Sequence, residues 1–170
     1  NSLIKKMKRL ITFVIISVLC ANVLAADGYP GTRRDSVLKC ITGAEIPSYK
    51  INILKAGAKG DGTKDCKPAF DRAMRTAERK GGAHIIVPSG TYIINGPIQF
   101  RSHVCLELQE GAVLKFSPAP HHYLPIVRTS WEGTLLQNYS PMIYGYGLTD
   151  VSIIGNGTID GNAAQTFATW

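Results

Sequence analysis

Short apolar strands that each run into a glycine recur through the later part of this chain, and that recurrence limits the fold more than any other feature. Ile85-Ile86-Val87 leads to Gly90-Thr91-Tyr92. Val104, Leu106 and Leu108 alternate and lead to Gly111-Ala112-Val113. Val151 and Ile153 alternate and lead to Gly157-Thr158-Ile159. In each copy an apolar residue sits two positions beyond the glycine. Gly90 and Gly111 are 21 residues apart, and Gly111 and Gly157 are 46 apart, close to two such periods. Repeats of 20–50 residues are the signature of solenoids. Strands this short, with no helix between them, cannot be joined as βαβ units. Stacked as successive coils they can pair above and below and align their inward side chains. The competing reading, an α+β domain with a twisted antiparallel sheet, does not explain the repeat.

The residues before the repeat supply what a solenoid end needs. Tyr49 to Ile53 alternates as a short strand. A glycine-rich loop, Ala56 to Thr63, follows. It lacks the Gly-Lys-Ser/Thr of a phosphate-binding loop, so its glycines are read as turn residues. Next comes a helix, with Asp65 as the expected N-cap and Pro68 in the first turn, where its missing N–H costs little. Ala69, Phe70, Ala73, Met74 and Ala77 form one apolar stripe. Arg72, Arg75, Glu78 and Arg79 read as a solvated face, and Lys80-Gly81-Gly82 closes the helix. Terminal repeats need a cap. The expected fold is therefore all-β, a right-handed parallel β-helix (solenoid) with an N-terminal amphipathic cap helix.

The N-terminus reads as a secretory signal. Met7 is followed by Lys8 and Arg9, an apolar run from Leu10 to Leu19, and Val23-Leu24-Ala25 before the expected cleavage at Ala26. The run is shorter than the ~20 residues a spanning helix needs. The expected division is 1–25 upstream residues and signal, 26–48 a polar, breaker-rich leader, and 49–170 the N-terminal part of a β-helix domain. The expected location is secreted or periplasmic, with no membrane association after cleavage. The first 25 residues carry four of the cations, and without them 15 basic and 12 acidic side chains remain, spread along the chain. That balance does not point to nucleic acid, which needs a clustered basic face. Cys40, Cys66 and Cys105 match no zinc spacing and read as buried or semi-buried thiols, with at most one bridge. His121-His122 in a proline-rich loop reads as surface, with no further ligands to make a metal site.

Residues 117–141 break the period. The segment carries Arg128, Trp131 and Tyr139 among prolines and polar residues. A long aromatic-bearing excursion on a solenoid is expected to be ordered and functional. Arg128 could pair with a carboxylate and Trp131 could stack on a sugar ring. The alternative is that Trp131 packs the loop onto the coils and Arg128 pairs with Glu132 or solvent.

Two stretches carry a family resemblance. Ala56-Gly57-Ala58-Lys59-Gly60-Asp61-Gly62-Thr63-Lys64-Asp65, the helix, and Val87-Pro88-Ser89-Gly90-Thr91-Tyr92 resemble the start of pectin-lyase-like β-helix proteins. Leu106-Glu107-Leu108-Gln109-Glu110-Gly111-Ala112-Val113-Leu114-Lys115-Phe116-Ser117 is more specific. With Tyr123-Leu124-Pro125, Trp131-Glu132-Gly133, Asn138-Tyr139-Ser140-Pro141-Met142-Ile143-Tyr144 and Gly155-Asn156-Gly157-Thr158-Ile159-Asp160-Gly161, it resembles polygalacturonase-like members of glycoside hydrolase family 28. Cys66 departs from the acidic residue often found there.

The resemblance implies inverting hydrolysis of galacturonate-containing pectin. One carboxylic acid protonates the leaving oxygen and another carboxylate activates water. The family's Asn-Thr-Asp, Asp-Asp, Gly-His-Gly and Arg-Ile-Lys motifs are absent from this sequence, so no residue here is assigned as catalytic. Asp160 reads as a turn residue. Arg128, Trp131 and Tyr139 are the candidate substrate contacts. Pectic polysaccharide is the implied partner, with no cofactor or metal, and the full-length protein is expected to be a monomer. A calcium-dependent β-helix lyase and a non-enzymatic, glycan-binding tailspike-like β-helix are the alternatives.

Overall fold

The computed structural model describes residues 31–164, so the expected signal segment lies outside the described residues. The chain divides into two compact units, 1–42 and 43–170. In the first, Gly31–Cys40 form helix α1. The composition of residues 26–48 predicts an irregular leader. The helix forms because the breakers Gly28, Pro30 and Gly31 cluster at or before its start, and Gly43 and Pro47 lie after its end. No helix among the described residues is long and apolar enough to cross a membrane.

The second unit is mostly β and its sheets are parallel apart from one hairpin. In chain order it contains β1 (Lys50–Asn52), β2 (Asp61–Asp65), α2 (Lys67–Arg79), β3 (Ala83–Val87), β4 (Gly90–Ile94), β5 (Ile98–Gln99), β6 (Val104–Leu108) and β7 (Ala112–Phe116). A 3-10 turn (Pro120–Tyr123), β8 (Val127–Trp131), β9 (Thr134–Asn138), β10 (Ile143–Tyr144), β11 (Val151–Gly155) and β12 (Thr158–Asp160) follow. The order β1-β3-β6-β11 makes one sheet and β12-β7-β4-β2 a second, while β5 pairs with β10 in a third. Each pass of the chain thus lays one strand in each of two sheets before moving on to the next layer.

Alternation turns every second side chain inward. Ile51, Ile85, Leu106 and Ile153 face each other across four strands. Tyr92, Leu114 and Ile159 do so in the second sheet. Ile85, Leu106, Tyr92 and Leu114 are fully buried. Each such Leu or Ile contributes about 1.5–3 kcal/mol by leaving water. Ile153 and Ile159, at the ends of their rows, keep 44% and 43% of their surface exposed.

Helix α2 buries the expected five residues, Ala69, Phe70, Ala73, Met74 and Ala77, in the same apolar cluster as Ile53, Ile85 and Ile98. Its start differs from the expectation. Cys66 occupies the N-cap without a side-chain cap bond, because Asp65 is still in β2. The Asp65 carboxylate nevertheless accepts from the backbone N–H groups of Lys67 (2.9 Å) and Asn95 (3.1 Å), satisfying one of the orphan donors of the first turn. Arg72 is not simply solvated: its guanidinium donates twice to the Ala56 carbonyl, at 3.0 and 2.8 Å, and ties the preceding loop to the helix. At the start of β2, Asp61 accepts from the Lys64 and Thr63 N–H groups and the Thr63 hydroxyl, which hold its carboxyl down to about 2. Any support from this turn is present above the ordinary carboxylate value and is lost as pH falls toward about 2.

The register corrects two sequence readings. Gly90 pairs with Ala112, not with Gly111. Gly111 is an additional corner residue at φ 78°, so Leu114 faces inward where the aligned glycines would have put Val113. A one-residue slip exchanges the two faces of a strand. The 46-residue interval is also not two periods, since Leu106 pairs directly with Ile153. It is one pass, lengthened by the segment that holds β8 and β9.

The described thiols are all free: Cys66 and Cys105 are buried, whereas Cys40 is exposed, contrary to the semi-buried expectation. Burial holds the Cys66 thiol above its ordinary range, and its sulfur lies 3.2 Å from the Lys59 carbonyl. Thiolates, not thiols, react. Titration of the native protein with a disulfide reagent is therefore expected to modify Cys40 rapidly and Cys66 and Cys105 only after denaturant is added. Rapid labelling of Cys66 in the folded protein would contradict this packing.

Candidate functional site

The excursion between β7 and β10 is built outward from one buried serine. The Ser117 hydroxyl accepts from the Ala119 N–H (3.1 Å) and lies 2.6 Å from His122 Nδ1. The Ser117 carbonyl accepts from the Tyr123 hydroxyl at 2.6 Å. Tyr123 is 1% exposed, and burial pushes its hydroxyl up to about 12. The Ser140 N–H donates to the Tyr123 carbonyl (3.0 Å), so the outgoing and returning chain are joined at the base.

Beyond that base β8 and β9 form an antiparallel hairpin, registered from Val127–Asn138 to Trp131–Thr134. Its two-residue turn, Glu132-Gly133, has φ of 48° and 84°. Positive φ at both central residues matches the twist of a tight hairpin, and glycine takes it without a side-chain clash. Alternation along β8 separates Arg128 and Ser130 from Val127, Thr129 and Trp131.

Arg128 and Ser130, with the intervening Thr129 and with Leu135 from β9, line a groove of about 250 Å³ against Ile143, Tyr144 and Tyr146. The Arg128 guanidinium carbon lies 5.5 Å from the centre of the Tyr146 ring, within cation–π range. The Tyr144 hydroxyl donates to the Arg128 carbonyl at 3.1 Å. The groove floor is fixed by β10, whose Ile143 and Tyr144 pair with Ile98 and Gln99. No carboxylate lines the groove. The site can therefore hold an anion beside an aromatic face, but it cannot supply a general acid.

Of the three residues singled out from sequence, Arg128 lines this groove, and Trp131 and Tyr139 do not. Trp131 is 71% exposed, which overturns the alternative in which it packs the loop onto the strands. Arg128 is engaged by Tyr146, and among the described residues no ion pair joins it to Glu132. Tyr144 and Tyr146 were not singled out. Their signal was the Tyr144-Gly145-Tyr146 run just after the excursion.

The late acids are engaged elsewhere. Asp160 accepts from the Asn162 N–H (2.7 Å), as a turn residue does. Asp150 accepts from the Glu45 N–H (3.1 Å) and lies 3.2 Å from His103 Nδ1. A larger depression of about 510 Å³ adjoins the groove and is lined by Phe100, Ile143, Leu148, Val151 and Ile153 among others. Val151 and Ile153 pair with the buried Val104 and Leu106, so this is the apolar end of the stack and carries no charged group. Among the described residues no cluster of three or more His, Cys, Asp or Glu could hold a metal ion.

Comparison with known proteins places this geometry. The family described as rhamnogalacturonase A/epimerase, pectate lyase-like, matches residues 50–107. A probable polygalacturonase of Vitis vinifera is 30% identical over 161 residues, covering 88% of this chain and 32% of that protein. An exo-poly-alpha-D-galacturonosidase of Dickeya chrysanthemi is 31% identical over 144 residues, covering 81% of this chain and 23% of that protein. Among solved structures, a hyperthermoactive exopolygalacturonase of Thermotoga maritima superposes with a TM-score of 0.71 at 38% identity, covering 75% of this chain and 28% of that one. The chain thus spans about a third or less of the length of these relatives.

Proposed function

We propose that this chain, a polygalacturonase-like segment with the pectate lyase-like fold of family 28, is the N-terminal part of a secreted enzyme that hydrolyses galacturonate-containing pectin. The observation that carries the reading is the stack of parallel passes, superposable at 38% identity on an exopolygalacturonase. In this reading the stack is the start of a right-handed parallel β-helix, and α2 lies over its first coil as a cap. The apolar stripe of α2, buried with Ile53 and Ile98, supports that role. The signal-like N-terminus supports secretion.

Hydrolysis with inversion needs one carboxylic acid to protonate the leaving oxygen and one carboxylate to activate water, ~6.5–9.5 Å apart. Neither is assigned to this chain. Its contribution is positioning. Arg128, steadied over Tyr146, would pair with a uronate carboxylate, and Ser130 would offer a hydroxyl to the same sugar. Trp131, exposed at the hairpin turn, and Tyr139, exposed just past β9, would meet the polymer outside the groove.

In the complete enzyme, Arg128→Ala is expected to raise KM for polygalacturonate about tenfold, the loss of one charge-assisted contact, with kcat little changed. Trp131→Ala is expected to lower kcat/KM without changing the melting temperature, because its side chain is exposed. Unchanged kinetics in both variants would remove the hairpin from the substrate path. Reducing ends should appear without a rise in ultraviolet absorbance, and such a rise would instead identify an eliminating lyase.

A further inference from the structure

The cations of this chain are not spread evenly once the strands are in place. Residues 50–80 hold nine Lys and Arg against four Asp and Glu, while residues 81–164 hold three against five. The excess gathers at the end of the stack formed by β1 and α2. There a groove of about 330 Å³ is lined by Tyr49, Lys50, Asn52, Lys55, Arg72 and Thr76, with an isoleucine and two alanines completing the wall. No carboxylate lines it. Lys80 extends its ammonium to 5.7 Å from the centre of the Tyr49 ring.

The groove has order as well as charge. Arg72 is fixed by its two bonds to the Ala56 carbonyl. Lys50 is held on β1 by the pairing of that strand with β3. Among the described residues the ion pairs at this end join Lys67 to Asp71 and Arg101 to Glu78, and none engages Lys50, Lys55 or Lys80. Lys50 and Lys55 therefore line the groove beside Arg72, Lys80 lies at the Tyr49 ring, and among the described residues no acid pairs with Lys50, Lys55 or Lys80. Tyr49 is partly exposed and supplies a flat apolar surface.

We infer that this groove is a second, non-catalytic binding surface for an acidic polysaccharide, taking uronate carboxylates on Lys50, Lys55 and Lys80 and a sugar ring against Tyr49. The inference rests on the reading that the partner is a pectic polymer, and it concerns a different surface from the Arg128 groove. A polyuronate carries one carboxylate per sugar and an apolar ring face, which matches cations grouped around a single aromatic. Nucleic acid would call for a longer basic track with several stacking rings. The function of such a surface is retention: the enzyme stays on the anionic polymer between cleavage events.

The test is affinity electrophoresis of the protein through gels containing de-esterified polygalacturonate, fully methyl-esterified pectin or double-stranded DNA. The protein should be retarded by polygalacturonate, less so as salt rises, and little by esterified pectin. Lys50→Glu combined with Lys55→Glu should weaken retardation about tenfold, since charge-assisted pairs to carboxylate become repulsions. Lys50→Gln with Lys55→Gln should give a smaller loss and guards against a folding defect in the reversed pair. Equal retardation of wild type and both pairs would overturn the inference, as would equal retardation by esterified pectin or stronger retardation by DNA. The proposed activity is judged separately, by hydrolysis of short galacturonate oligomers in the complete enzyme. Hydrolysis that persists in the reversed pair, while polymer retardation is lost, is the expected combination. Polymer retardation that depends on Lys50 and Lys55 without any hydrolysis would sink the enzymatic reading and leave this surface standing.

Discussion

Gly155→Ala is expected to destabilise the protein by more than about 3 kcal/mol, whereas Gly133→Ala costs only about 1 kcal/mol. Both glycines have positive φ, 101° and 84°, so both substitutions carry backbone strain. They differ in what a Cβ would meet. At Gly133 nothing lies within 4 Å. At Gly155 the new carbon would fall on the Leu108 carbonyl oxygen and within 2.8 Å of its carbon. That carbonyl is backbone in the paired strand β6 and accepts from the Gly157 N–H at 3.1 Å, so it cannot step aside without losing register. Urea melts of the two variants would measure the costs, and hydrogen exchange would show whether β11 amides lose protection first. Equal shifts for both would mean that the close approach of β11 to β6 is not what the glycine preserves.

The second large effect concerns activity. Purified residues 26–170 are expected to release no measurable reducing ends from polygalacturonate, with or without calcium. In the proposed inverting reaction, acceleration of about a millionfold or more would depend on two positioned carboxyl groups. The sequence lacks the motifs that would supply them. Asp150 and Asp160 are occupied by backbone donors, and neither lines the Arg128 groove. Calcium-independent hydrolysis by this segment would overturn the assignment of catalysis to residues outside it.

Most strands were legible because alternation is a direct consequence of one face being buried. The Ile85, Leu106 and Ile153 positions could be read without a structure. Register was not, because a glycine at a corner and a glycine opening a strand look alike in sequence. Gly111 is the first and Gly90 the second, and only the pairing of Gly90 with Ala112 distinguishes them. The length of the third pass failed for a similar reason. Sequence spacing cannot separate two repeats from one repeat holding an insertion whose strands pair with each other, as β8 and β9 do. The candidate site was legible in its charge but not in its geometry. Arg128 could be read from sequence only as a cation able to pair with a carboxylate. Its partner Tyr146 lies 18 positions later, beyond the excursion whose base is closed by the Ser140 N–H on the Tyr123 carbonyl. The role of Arg72 was hidden in the same way, since its acceptor is a main-chain carbonyl 16 residues away.

The join between Ser140 and Tyr123 also frees the stack from counting residues. Leu106 follows Ile85 by 21 positions and Ile153 follows Leu106 by 47, yet each interval advances the chain by one strand spacing of about 4.8 Å. Displacement along the axis is set by the number of turns, and contour length is absorbed sideways. Such a scaffold behaves as a ruler with interchangeable attachments. An arm can be extended, shortened or replaced at this corner while every later position keeps its distance from every earlier one. Reach and pitch can then change independently of each other.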